Sequence, residues 1–173
     1  MGALPATLSL AVAAVFAVFV VRPHCSRMSA GAHALMGLGM AAMFSPWGDP
    51  VPPLAGAGLF AAVAAWFGGR LLRGVPAGPG GAAHLVVAPA AMAAMYLSHI
   101  GGGHHAESVA VAALWLGLAG YFGWHTVTSA VRVQQLPMRG AGVGTVIAPP
   151  IRRLWVAHVV MSGLMAAMFL TAL

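Results

Sequence analysis

Charge is what this chain has least of. Of its 173 residues only 6% are charged, where a soluble domain carries roughly 25%. It has no lysine, and Asp49 and Glu107 are its only acids. A chain this poor in charge cannot cover a water-facing surface. The missing lysine excludes a phosphate-binding glycine loop of the usual kind. Both acids fall outside the apolar runs, which excludes a carboxylate acid/base pair within them and the intramembrane Asp or Glu usual in proton-coupled transporters. The single cysteine, Cys25, excludes an internal disulfide. Its neighbour His24 is the one feature that distinguishes it from a bystander thiol.

What is abundant is apolar: 61% of residues are hydrophobic and the mean hydropathy is +0.92. About 20 apolar residues span a bilayer. Six stretches approach this length: Leu4–Val21, Met28–Trp47, Pro53–Leu72, Ala82–His99, Ser108–Thr128 and Leu154–Leu173. The expected fold is therefore all-α, a polytopic membrane bundle of six transmembrane helices. The first helix has no positive charge before it, so it is expected to stay as a span rather than to be removed as a signal peptide.

The formal net charge of +6 resembles a nucleic-acid signal, but its distribution argues against such a partner. Arg22 and Arg27 lie between the first two helices, Arg70 and Arg73 between the third and fourth, and Arg132, Arg139, Arg152 and Arg153 between the fifth and sixth. Both acids sit in the other connections. Cytoplasmic loops carry the arginine excess, so the expected topology is a multi-pass plasma-membrane protein with both termini outside and the arginine-bearing loops in the cytoplasm. Those loops are also placed to meet anionic lipid heads.

A short pattern repeats on the even-numbered helices. It reads Met40-Ala41-Ala42-Met43-Phe44, Met92-Ala93-Ala94-Met95-Tyr96 and Met165-Ala166-Ala167-Met168-Phe169, preceded by His33, His84 and His158. In the first and third copies His33, Met36, Met40 and Met43 match His158, Met161, Met165 and Met168 at identical offsets. Such offsets return to one helix face. In the middle copy the first interval is one residue longer and contains Pro89, and Val87 stands where the others have methionine. The repeat divides the single membrane domain into three parallel helical hairpins, about 1–50, 51–104 and 105–173. Gly37, Gly39, Gly117, Gly120 and Gly163 are expected to let helices approach closely. Trp47, Trp66 and Trp155 fall near helix ends, where indoles favour the interface.

Histidine and methionine are the neutral side chains that bind soft metals. Unsatisfied imidazole in hydrocarbon costs several kcal/mol, so His33, His84 and His158 should face the bundle, as neutral rings able to take a metal. Thioether and imidazole together favour Cu(I). The expected metal set is Met36, Met40, Met43, Met92, Met95, Met161, Met165 and Met168 with an inner layer of His33, His84 and His158. His99, His104 and His105 form a further group at the outer end of the fourth helix. Haem is a second binding reading, with His33, His84, His125 and His158 as candidate axial ligands. The alternative class to metal handling, ahead of haem, is a structural or interaction subunit of a membrane complex with no metal site, whose methionines only pack helices or dock a protein partner. Enzyme activity is not expected: Ser162, beside Gly163 and near His158, is in mid-helix, where its hydroxyl is expected to bond the preceding turn rather than act as a nucleophile.

The stretch His33-Ala-Leu-Met-Gly-Leu-Gly-Met-Ala-Ala-Met43, following Arg27 and Ser29, resembles a family of small actinobacterial integral membrane proteins known as a domain of unknown function. The resemblance implies a multi-pass membrane fold over most of the chain and supplies no chemistry.

Overall fold

The computed structural model describes residues 3–21, 27–75, 81–101, 109–135 and 149–171. All regular structure in these segments is helical: α1 (Ala3–Val21), α2 (Arg27–Met43), α3 (Pro53–Leu72), α4 (Ala82–Ser98), α5 (Val109–Gln135) and α6 (Pro149–Thr171), with a short 3-10 turn at His99–Gly101 after α4. Four helices are long and apolar enough to cross a membrane: α1, α3, α5 and the Arg152–Thr171 part of α6. The helices α2 and α4 have 17 residues each, about 26 Å of helix.

The helix ends follow local chemistry. Pro53 opens α3, where its missing N–H is not needed. The same helix closes on Gly74, in the left-handed region at φ 66°. There Gly74 N–H donates to the Leu71 carbonyl at 3.0 Å and Val75 N–H to the Arg70 carbonyl at 3.1 Å. This pair of bonds is a Schellman motif, a helix stop that favours glycine at the left-handed position. The expected second span overran its helix: α2 ends at Met43, and a turn closed by Ser45 N–H on the Ala42 carbonyl (3.0 Å) takes over before Trp47. The fifth helix is longer than expected and continues past Thr128 to Gln135, and α6 begins at Pro149, ahead of Leu154. Pro89 does not divide α4, which runs through it.

The closest packing is within consecutive pairs: α1 on α2, α3 on α4 and α5 on α6. The pairs are joined by α1 against α6 and α2 against α4. One apolar core runs through the bundle, made of methionine, alanine and aromatic side chains, with Met40, Met92, Met165, Phe60, Phe122 and Phe169 among its fully buried members.

Close approach rests on fewer glycines than the sequence offers. A Cβ at Gly37 would stand 3.0 Å from the backbone nitrogen of Ala13, so α1 and α2 touch there through main chain. At Gly39 it would meet the Phe60 ring at 2.6 Å. Gly117 and Gly120 do not have this role: their added Cβ would meet nothing within 4 Å. Gly163 has only Thr126 near it, at 3.8 Å. Gly56, by contrast, lies directly against the Tyr96 ring, at 2.5 Å from a would-be Cβ.

Candidate metal centre

Four helices deliver histidines to one place. His33 comes from α2, His84 from α4, His125 from α5 and His158 from α6. His33 and His158 have ring centroids 4.9 Å apart, His84 and His158 4.6 Å, and His33 and His84 5.9 Å. His125 joins them, 4.2 Å from His84 and 5.4 Å from His158. Taking one ring nitrogen from each of His33, His84 and His158, the three atoms lie within 4.8 Å of one another. All three side chains are buried.

The hydrogen bonds define what these nitrogens can do. His33 Nδ1 lies 2.7 Å from the carbonyl oxygen of Ser29, one turn back on α2. A carbonyl only accepts, so Nδ1 carries the proton and donates it. Nε2 is then left with its lone pair. That nitrogen is buried and has no hydrogen-bond partner within the protein. The same holds for His158 Nε2 and for both ring nitrogens of His84, and also for Ser162 Oγ, which does not make the expected bond to the preceding turn of α6. Metal-binding histidines commonly donate their second nitrogen to a backbone carbonyl, which fixes the ring; His33 has that arrangement. Ser129 Oγ stands 3.4 Å from His125 Nδ1.

The walls are aromatic. Phe16 of α1 stacks on His33 at 4.7 Å. Phe122 meets His84 edge-on at 5.8 Å, with Tyr121 at 6.3 Å on a near-parallel plane. Trp155 closes on His158 at 6.2 Å. No carboxylate is among the ring and hydrogen-bond neighbours of the cluster in the described residues. Nitrogens bound at about 2.0 Å around one ion sit about 3.3–3.5 Å apart, somewhat closer than the 4.8 Å limit within which these three lie.

The methionines lie on the inward face beyond the histidines. Met36 and Met161 follow His33 and His158 by one turn, and both are fully buried. Met40, Met92, Met95, Met165 and Met168 are buried too, in the same core. Met43 is half-buried and packs against that core. The stripes therefore point inward and not to the bundle's outer surface.

The histidines expected at the outer end of the fourth helix are separate. His99, half-buried, has Nδ1 2.7 Å from the Met95 carbonyl. It stands at the far end of α4 from His84, about 22 Å away at a 1.5 Å rise. His104 and His105, like His24 and Cys25, lie outside the described residues. The residue that the His/Met repeat alone does not flag is His125, which lies on an odd-numbered helix. Its signal is depth: it precedes Arg132 by about the distance that separates His33 from Arg27.

Comparison with curated proteins and with solved structures finds no match for the chain. The profile of a protein family described as a domain of unknown function, DUF5134, matches residues 25–172. That match takes in α2 to α6 with all four clustered histidines and every stripe methionine, and on it the protein belongs to the DUF5134 family.

Proposed function

We propose that the protein handles a soft metal ion in the plasma membrane, binding Cu(I) at His33, His84 and His158 with the flanking methionines. The observation that carries this reading is the set of four partnerless ring nitrogens, His33 Nε2, both of His84 and His158 Nε2, buried in one cluster. Each such atom costs about 1–3 kcal/mol if left unpaired. Three helices bringing these costs to one point is unexpected for packing and natural for a ligand set. The choice of ion follows from charge and softness. The ligands are all neutral, so the ion's own charge goes uncompensated in an apolar bundle, and a monovalent ion costs less there than a divalent one. Thioethers one turn away add preference for Cu(I) over Zn(II). Met36 and Met161 are the nearest sulfur ligands in sequence; Met40, Met43, Met92, Met95, Met165 and Met168 extend the soft lining away from the histidines.

The topology belongs to the same reading. We take the six helices as six spans in three parallel hairpins, with the arginine-bearing connections cytoplasmic and both termini outside. Packing of α1 on α2, α3 on α4 and α5 on α6 supports the hairpins. Arg132 lies 5.5 Å from the Trp155 ring, and Arg70 Nη1 lies 3.9 Å from Met28 Sδ. These contacts join arginine-bearing helix ends to their neighbours at one end of the bundle. Binding, and not catalysis, is the activity proposed.

The test is an anaerobic Cu(I) titration of the purified protein against a chromophoric chelator, run beside a His33→Ala/His84→Ala/His158→Ala variant and one with the six methionines of the repeat changed to leucine. Tight binding by the natural chain, lost in the histidine variant and weakened in the methionine variant, supports the proposal. Absent or undiminished binding overturns it. The burial of the methionines among core aromatics favours one competing reading, a structural or interaction subunit in which they only fill space. It predicts no Cu(I) binding and stable co-purification with another membrane protein.

A further inference from the structure

A groove of about 330 Å³ opens on the bundle surface between α2 and α3. Met28, Gly31 and Leu35 of α2 form one wall, and Leu59, Val63 and Trp66 of α3 the other. Its floor is closed by Phe67 and Ala32, which pack with Leu85 of α4. No charged side chain lines it. At one end stands Arg70, whose Nη1 reaches the sulfur of Met28, on the groove's lip, at 3.9 Å. A thioether is a weak acceptor, and guanidinium has five N–H donors. Among the described residues Arg70 has no carboxylate partner: the one described acid, Asp49, follows the opposite end of α2 and accepts from Val51 N–H at 2.8 Å. Arg27 and Arg73 are exposed at the same end as Arg70.

We propose that this groove binds one anionic phospholipid, with an acyl chain lying between α2 and α3 and its phosphate on the Arg70 guanidinium. The dimensions match. From Arg70 to Leu59 along α3 is about 16 Å at a 1.5 Å rise, and one leaflet of a bilayer's hydrocarbon is about 15 Å thick. The lined stretch from Leu59 to Phe67 is about 12 Å of this, so the groove and the cation beyond it together span about one leaflet, with apolar walls along the groove and the cation at its headgroup end. Trp66, half exposed, adds the amphipathic ring found at that depth. A protein partner would meet this surface through a helix and would not need the cation at one end only. The site is separate from the histidines and does not rest on the metal reading.

The test uses the full chain in detergent, stripped of lipid and then offered phosphatidylglycerol or phosphatidylcholine of the same chain composition, with bound lipid counted by native mass spectrometry. One arginine near the headgroups gives a preference of about fivefold, so phosphatidylglycerol should be retained about that much better. Arg70→Gln should remove the preference. Gly31→Leu, placed where an added Cβ meets nothing within 4 Å, should fill the groove and lower retention of both lipids without changing the melting temperature. Equal retention of the two lipids by the natural chain overturns the proposal, as does unchanged phosphatidylglycerol retention in either variant.

Discussion

The imidazole of His33 stands 4.9 Å from that of His158, centroid to centroid, with the ring planes at 57°. Each ring begins the same spacing of methionines on its helix, so equivalent positions of two sequence copies meet inside the bundle. The third copy supplies His84, 4.6 Å from His158.

His84 separates a packing role from a binding role. Both of its ring nitrogens are buried without a partner, so an apolar side chain of similar size should be tolerated or preferred there when no metal is bound. His84→Leu is expected to leave the metal-free melting temperature unchanged or higher, while Cu(I) affinity falls by at least about 100-fold, more than one hydrogen bond's worth. Thermal scanning with and without Cu(I) checks both. A variant that loses stability and keeps affinity would assign His84 to packing.

Protons and metal compete for the same lone pairs on His33 Nε2 and its two neighbours. Metal binding needs the neutral rings, so affinity is expected to be level in the neutral and mildly alkaline range and to decline as the solution is acidified. A chelator competition series over pH measures this. Affinity that rises on acidification would rule out imidazole ligands.

The methionines should show the reverse balance to His84. Leucine for methionine conserves volume and usually costs less than about 1.5 kcal/mol. Met36→Leu and Met161→Leu together, next to the histidine layer, are expected to leave the fold intact and to weaken Cu(I) by about tenfold or more. Zn(II), which gains little from thioether, should be affected far less. Equal effects on the two ions would remove sulfur from the ligand set.

Two glycines give opposite expectations for one substitution. Gly56→Ala places a methyl group against the buried Tyr96 ring and should cost about 1–3 kcal/mol. Gly117→Ala meets open space on α5 and should be neutral or stabilising, because alanine is the better helix former. Melting temperatures in one detergent compare them directly.

Topology can be read from thiol labelling in whole cells. Cys25, in the connection between α1 and α2, should resist a membrane-impermeant maleimide until the cells are permeabilised. Asp49→Cys, made with Cys25→Ser, should label from outside. The reverse pattern would invert the orientation.

The helices and their inward faces were legible in the sequence because lipid leaves few alternatives. A segment in hydrocarbon must satisfy its own backbone, and imidazole avoids the lipid side, so His33, His84 and His158 were bound to face inward. The helix ends were less legible. Met43 ends α2 through a turn that the apolar run up to Trp47 conceals, and α5 continues past Thr128 through a polar stretch that hydropathy does not score. The packing glycines were only partly legible: Gly37 and Gly120 look alike in sequence, and only the neighbour across the interface tells them apart. His125 was legible by depth alone. It lies outside the repeat, and its distance from Arg132 sets it level with the other three histidines, but its entry into the cluster depends on the packing of α5 against α6.

The measurement that bears most directly on the histidine centre is X-ray absorption at the copper edge of the Cu(I)-loaded natural chain, beside His84→Leu. A histidine centre predicts imidazole scattering from two or three nitrogens at about 2.0 Å, with sulfur near about 2.3 Å, and one imidazole fewer, or no bound copper, in the variant. A spectrum without imidazole scattering, or one unchanged by the substitution, would contradict it.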